Sequence, residues 1–373
     1  MGGFAASIMP LTSFISYNLF SAQQNISPPI LTTPSFASST QTYQGSPVSA
    51  SLSKKRVAQP HAINPQTAKT SSQTDVIAKT AQGSSEEQAS YPPTVDISHV
   101  KAAVVNIICI SSDPNLSSMT ASGVIIDSRG IILTNAHVGQ YFLLSNYVEK
   151  GLLHCEVRGG NPAKNLYSAE LLYIPTHWIE SNATVFSKNS SKGTGEDDFA
   201  LLRIKETADG NSLSAKLPFL PYTTTAQLHK NDTLVAAAYP AEFIPTSDIA
   251  ANLYDLSIAT KIEELLTFKS STVDLFRMNG SIIAQKGSSG GAVVDAEGML
   301  VGIIATASGA FIDNERNLYA ITIPYINSEL EKFNGVGLDE LLTGNISRKA
   351  IDFSLYTAPM LLTLLEANSA PNQ

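Results

Sequence analysis

The stretch Gly287-Ser288-Ser289-Gly290-Gly291 decides the fold of this chain of 373 residues. It places the hydroxyl of Ser289 on a tight glycine loop, where the backbone N–H groups of Gly287 and Ser289 can converge on one point. Glycine tolerates dihedrals that other residues avoid and lets another backbone approach closely. Two N–H donors beside a serine hydroxyl suit the stabilisation of an oxyanion. Ser289 is therefore a candidate nucleophile, and the two N–H groups form a candidate oxyanion hole.

Two further stretches precede this loop. His137 lies in the sequence T-N-A-H-V at 134–138, after a β-rich run, and the acids at 196–198 open D-F-A-L-L. A neutral imidazole suits proton removal near neutral pH, and a carboxylate can hold it in one tautomer. The sequence therefore predicts His137 as a general base, with its orienting acid among residues 196–198.

The order of histidine, acid and serine, with the wording of the three motifs, resembles the chymotrypsin-like serine proteases. It looks most like their bacterial high-temperature-requirement (Deg) branch, over roughly residues 96–331. The resemblance implies two six-stranded antiparallel Greek-key barrels that meet in a cleft, with His137 from the first barrel and Ser289 from the second. It also implies that Asp198 is the acid, because the family acid precedes an apolar residue and then Ala-Leu-Leu; Asp197 is the alternative.

These motifs favour a serine endopeptidase that cuts polypeptides through an acyl-enzyme. The pentad also fits the G-x-S-x-G elbow of α/β-hydrolases, although that motif expects the order Ser, Asp, His. An esterase on the same site is therefore one alternative. A catalytically silent protease-fold protein that binds unfolded segments by strand addition is another.

The resemblance also places the pocket for the side chain on the acyl side of the cut. Its base is expected near Ile283, and its wall at Ala305, Thr306 and Ala307. No acid stands at these positions, so we expect an aliphatic side chain there rather than Arg or Lys. Ser288 stands where trypsin-type zymogens carry an aspartate, which argues against activation by a newly released N-terminus.

Composition excludes several other functions. The formal net charge is −8, and the sequence contains no large Lys/Arg cluster, which argues against a nucleic-acid partner. No cofactor motif or metal-ligand spacing is present, so the sequence predicts neither a cofactor nor a metal. Cys109 lies in the apolar run 104–110 and is predicted to be a buried free thiol. The state of Cys155 stays open.

The N-terminal part differs in composition from the rest. Residues 1–53 contain no Asp, Glu, Lys or Arg, and their apolar opening predicts a secretory or membrane-tethering segment at 1–22, although Pro10 interrupts it. Residues 23–95, rich in Ser, Thr, Gln and Pro, are predicted to be a disordered linker or surface stalk. We therefore expect a secreted or surface-tethered protein, with a cytoplasmic protein that has a disordered tail as the alternative.

Short β-branched runs separated by Gly and Pro predict an all-β protease domain at 96–333. The predicted strands are 104–110, 123–126, 131–134, 152–157, 169–174, 199–204, 233–238, 257–262, 282–284, 292–294, 299–305 and 318–322. A C-terminal helical tail is predicted for 334–373, too short for a PDZ domain. The predicted helices are 325–333, 338–342 and 348–367.

Overall fold

The computed structural model describes residues 91–92, 94–113, 116–145, 151–182, 195–213, 216–268, 272–279, 282–305 and 317–369. These residues form two closed antiparallel barrels of six strands each, which confirms the predicted fold class. The predicted N-terminal segment 1–22 and nearly all of the linker 23–95 lie outside the described residues.

Both barrels follow the same strand order. The first is β1-β2-β3-β6-β5-β4, and the second repeats this pattern as β7-β8-β9-β12-β11-β10. The strands of the first barrel are β1 Val104–Ser111, β2 Met119–Asp127, β3 Ile131–Thr134, β4 Leu153–Gly159, β5 Lys164–Tyr173 and β6 Ala200–Thr207. Those of the second are β7 Thr233–Ala238, β8 Leu256–Leu266, β9 Leu275–Met278, β10 Ala292–Val294, β11 Leu300–Ala305 and β12 Leu318–Thr322.

Neighbouring residues on a strand face different apolar cores. Side chains alternate across a strand, so Ile132 of β3 packs inside the first barrel while Ile131 and Leu133 enter a core shared by both barrels. In the second barrel, Ile304 faces the interior and Ile303 the shared core. The shared core fixes one barrel against the other, and strand β3 leads directly from it towards His137.

Besides the strands of the two barrels, the described part of the chain contains eight short helices. Four were not predicted, and the other four correspond to the predicted helices at 325–333, 338–342 and 348–367. Their bounds are α1 Ile97–Ala103, α2 Ala136–Ser145, α3 Thr176–Asn182, α4 Thr246–Asn252, α5 Ile323–Asn334, α6 Leu338–Leu341, α7 Ile346–Asp352 and α8 Ala358–Ser369, with a π-helical turn at Phe353–Thr357 between α7 and α8.

The C-terminal helices return to the first barrel. Phe353, Ala358, Leu361 and Leu365 are buried in the same apolar cluster as residues of that barrel. None of the helices in the described ranges is long and apolar enough to cross a lipid bilayer.

One predicted strand is wrong. Residues 282–284 form a turn, and the strand that completes the second barrel is β9, Leu275–Met278. Ile283 is inaccessible to solvent within this turn, whereas Ile282 is 62% exposed, so the apolar run does not correspond to a paired strand. In β9 the charged Arg277 interrupts the apolar sequence pattern from which a strand would be predicted. Its guanidinium pairs with Glu263 and Glu264 of β8.

The predicted free thiol at Cys109 is also wrong. Cys109 is fully buried as expected, but it forms a disulfide with Cys155. The two residues are direct partners on the antiparallel strands β1 and β4. Strands β1 and β4 become neighbours only when the barrel closes, so the spacing of the cysteines in the sequence does not reveal the bond.

Candidate active site

His137 and Asp198 meet where two paired strands end on the same side of the first barrel. His137 is the second residue of α2, just after β3, and Asp198 precedes β6, the strand that pairs with β3. Nδ1 of His137 lies 2.9 Å from Oδ2 of Asp198, and the backbone N–H of His137 donates to Oδ1 at 2.9 Å. The side chain of Asn135 donates to the backbone carbonyl of Asp198 at 2.9 Å. A carboxylate at Nδ1 favours the tautomer that leaves the Nε2 lone pair for a substrate or nucleophile.

Opposing effects act on the pKa of His137. Burial lowers it, whereas the negative charge of Asp198 and the hydrogen bond to it raise it, and the net shift is upwards from 6.5. The neighbouring Asp197 does not take part in this contact. Its carboxylate instead meets His177, at 2.7 Å, and accepts a hydrogen bond from the hydroxyl of Tyr325, at 2.8 Å. Of the two aspartates, the structure brings Asp198 to His137.

The serine loop of the second barrel is fixed to strand β2 of the first barrel by Ser122. The N–H of Ser122 donates to the carbonyl of Ser289 at 2.8 Å, and its hydroxyl donates to the carbonyl of Gly287 at 2.8 Å. The same hydroxyl accepts the N–H of Tyr239 at 2.9 Å. Because Ser122 is fully buried, water does not replace these bonds.

The carbonyl of Ser122 extends this contact to the strand that leads to His137. It accepts the hydroxyl of Thr134 at 2.8 Å. Gly290 lies against both groups with a φ of +83°, and a Cβ at Gly290 would overlap the carbonyl of Ser122 and the hydroxyl of Thr134. Glycine is therefore required beside Ser289 for two reasons, its left-handed backbone and the close approach of β2 and β3.

The orientation of the peptide between Lys286 and Gly287 is set by one hydrogen bond. The carbonyl of Lys286 accepts the N–H of Ala241 at 2.8 Å. In a trans peptide the N–H points opposite to the carbonyl, so the N–H of Gly287 is turned away from Ala241. The hydroxyl of Ser288, fully buried, donates to the carbonyl of Ile283 at 2.6 Å and holds the loop from inside.

The predicted pocket residues have a different environment from the expected one. Ile283 lies in the core of the second barrel with no solvent-accessible surface, and Ala305, at the end of β11, is 4% exposed. Thr306 and Ala307 lie outside the described residues. In the described conformation, Ile283 therefore supports the serine loop through its carbonyl and offers no side-chain surface to a ligand.

Sequence reasoning missed two groups of residues. Ser122 stands in no recognised motif, and its role depends on contacts more than 100 residues away along the chain. The second group is His177, Asp197 and Glu329, whose ligand atoms lie within 4.8 Å of one another and could hold a metal ion. They come from three separate segments, so no ligand spacing appears in the sequence.

The site geometry agrees with a comparison against known families. Residues 121–303 match the family model of the trypsin-like peptidase domain. The match starts in β2 and ends in β11, so it contains all three motifs and covers just under half of the chain. It supports the resemblance to the chymotrypsin/trypsin-like family and a function of the serine-protease type. A comparison with curated proteins gave no match.

The contact between His137 and Asp198 can be tested by titration. We expect an imidazole pKa above 6.5 for His137 in the native chain. In Asp198→Asn it should fall below that value, because the carboxylate that raises the pKa is gone and burial remains. NMR of the histidine ring protons, assigned with His137→Gln, measures both values.

Asp197→Asn is the matched control and should leave the pKa of His137 above 6.5. An equal pKa in the native chain and in Asp198→Asn would contradict this assignment of the contact.

Proposed function

We propose that the protein is a serine endopeptidase with Ser289 as nucleophile, His137 as general base and Asp198 as the acid that orients it. The observation that carries this proposal is the 2.9 Å contact between Nδ1 of His137 and Asp198, at the strand ends against which the loop of Ser289 is fixed. The trypsin-like match over 121–303 supports the same reaction class.

In the proposed reaction, Nε2 of His137 takes the proton of the Ser289 hydroxyl as Oγ attacks the carbonyl carbon of a peptide bond. The N–H groups of Gly287 and Ser289 stabilise the oxyanion that forms. The imidazolium, stabilised by Asp198, then gives its proton to the leaving amine as the C–N bond breaks. Water attacks the resulting ester with His137 again as base, which releases the carboxylic acid and restores Ser289.

The two alternatives have less support. A silent binding protein needs neither an oriented imidazole nor a Gly287 N–H turned away from Ala241, and the chain has both features. The elbow motif of α/β-hydrolases belongs to an α/β fold, whereas this chain forms two antiparallel barrels. An esterase on the same site would share the acyl-enzyme and differ in the bond that it cuts.

We further propose that the substrates are polypeptides cut after aliphatic residues, because Ala305, at the expected pocket wall, supplies no charge for Arg or Lys. The Cys109–Cys155 disulfide supports an extracytoplasmic location, because such bonds persist in oxidising compartments.

Active-site labelling tests the enzyme assignment. A fluorophosphonate probe should label the native chain and Ser354→Ala, in which an exposed serine is lost, but not Ser289→Ala. His137→Ala and Asp198→Asn should each lower kcat on a peptide amide by on the order of 10⁴-fold, and the double variant little further, because the residues act as a unit. Peptides with Val on the acyl side should be cut faster than those with Arg.

Each result that contradicts these predictions would favour a specific alternative. A native chain that takes no label but binds unfolded polypeptide would favour the silent binding protein. Labelling with hydrolysis of esters alone would favour the esterase. Faster cleavage after Arg would overturn the aliphatic preference and leave the roles of Ser289 and His137 intact.

The location can be tested through the disulfide. In intact cells that produce the full chain, acid quenching followed by a thiol-reactive maleimide should leave Cys109 and Cys155 unmodified. Cys155→Ala is the control and should make Cys109 reactive after denaturation. Modification of both cysteines in the native chain would contradict the extracytoplasmic proposal.

A further inference from the structure

A cluster of three side chains lies outside the proposed catalytic centre. His177 lies on α3, Asp197 in the loop before β6, and Glu329 on α5. The side chain of Asp197 is 10% exposed, that of Glu329 12% and that of His177 26%. One ligand atom of each lies within 4.8 Å of the other two. Three segments distant in sequence therefore converge on a partly enclosed point.

The ring nitrogen of His177 gives the first indication of a ligand. Nε2 is shielded from solvent and lies 2.7 Å from Oδ2 of Asp197, in an ion-pair contact that lacks the geometry of a hydrogen bond. The contact is close without being aligned along the bonding direction of the nitrogen. Buried polar atoms nearly always make well-aligned hydrogen bonds, so an ion bound by both the nitrogen and the carboxylate would satisfy them better than this poorly aligned ion pair does.

Two atoms that bind the same metal ion are also close together without being aligned for a hydrogen bond. Atoms bound to a Zn²⁺ ion at about 2.0–2.2 Å lie roughly 3 Å apart, and the ion lies off the line that joins them. Small rotations of the three side chains would bring their ligand atoms to that distance from a common centre. The ring of His177 packs against the ring of Phe333 of α5, with ring centroids 4.0 Å apart, and this contact restricts its orientation.

Tyr325 binds one carboxylate oxygen of Asp197 and leaves the other directed at His177. Its hydroxyl donates to Oδ1 at 2.8 Å and also accepts the backbone N–H of Asp197 at 3.2 Å. Oδ2 then faces His177. Hydrogen bonds of this kind orient metal-binding carboxylates in known sites.

Charge also favours a cation at this point. Two carboxyl groups, those of Asp197 and Glu329, lie together here with side chains that are 10% and 12% exposed. Lys332, the cation that pairs with Glu329 at 3.2 Å, has a side chain that is 60% exposed, so it screens the two buried carboxyl groups only weakly.

We propose that His177, Asp197 and Glu329 bind one divalent transition-metal ion of the Zn²⁺ class. One imidazole and two carboxylates suit Zn²⁺, Co²⁺ or Mn²⁺, whereas Ca²⁺ takes six to eight oxygens and Mg²⁺ requires an octahedral set of oxygens. Three protein ligands leave a further position for water.

The position of the site defines its role. Asp197 directly precedes Asp198 and has a φ of +59°, in the left-handed region that few non-glycine residues adopt. An ion at Asp197 would tie this loop to α3 and to α5, and so fix the backbone from which Asp198 reaches His137. The ion is structural and takes no part in the peptidase reaction, so its presence is independent of the proposed function.

Metal uptake by the untagged full chain tests this proposal. Ser289→Ala prevents self-digestion and serves as the parent. After treatment with a chelator and addition of Zn²⁺, dialysed protein should retain one equivalent by elemental analysis and melt at least about 3 °C higher, whereas Mg²⁺ and Ca²⁺ should do neither. Co²⁺ should give visible absorption bands through His177.

Variants assign the ligands. His177→Ala and the isosteric Glu329→Gln should each weaken Zn²⁺ retention at least about 10-fold. The matched control is His154→Ala with Glu156→Gln, a histidine–carboxylate pair on β4 at 3.2 Å with an exposed imidazole, which should bind as the parent does. No retained Zn²⁺ in the parent, or equal retention in a folded Glu329→Gln and the parent, would overturn the proposal. The readout is bound metal, so loss of peptidase activity does not affect it.

Discussion

The arrangement of the site depends on the hydrogen bonds of one buried serine on strand β2. Ser122 uses its N–H, its hydroxyl and its carbonyl at once, towards Ser289, Gly287 and Thr134 respectively, and its hydroxyl also accepts the N–H of Tyr239. These bonds join the loop of the second barrel to the strands of the first. A buried donor or acceptor that loses its partner costs about 1–3 kcal/mol, so the loop has one strongly preferred position.

The rest of the site follows from how the barrels are built. Strands β3 and β6 pair side by side, so the residues after one and before the other, His137 and Asp198, must lie close together. Alternate side chains of β3 fill two different cores, which ties His137 both to its own barrel and to the second. On the far side of Asp198, Tyr325 binds Asp197 and connects the acid loop to α5. Each candidate catalytic residue is thus supported by an element from another part of the chain.

The features that could be predicted from the sequence are those formed by residues close together along the chain. His137, Asp198 and Ser289 stand in short motifs whose chemistry can be recognised without a fold, and most strands could be predicted from β-branched runs between turn residues. Relations between distant residues could not be predicted. The pairing of Cys109 with Cys155 requires a closed barrel, and the role of Ser122 requires both barrels.

Predictions from local sequence patterns were also wrong where an apolar run does not pair in a sheet, or where a paired strand contains a charged residue. The apolar residues at 282–284 lie in a turn that buries Ile283 alone of the three, and the charged Arg277 interrupts the apolar pattern of strand β9. Helices such as α3, with seven residues, are too short for a clear periodic pattern. The expected pocket stays a prediction: the side chain of Ile283 is buried in the core of the second barrel, and Thr306 and Ala307 lie outside the described residues.

The most direct test of this account is the steady-state cleavage of a peptide by Ser122→Ala, with the exposed Ser117→Ala as control. The account predicts a folded protein whose kcat falls by about 10- to 10²-fold while KM changes little, because a displaced Gly287 N–H weakens stabilisation of the oxyanion in the transition state. Ser117→Ala should match the native chain in both constants. A folded Ser122→Ala with native kcat would show that the serine loop holds its position without Ser122 and would contradict the account.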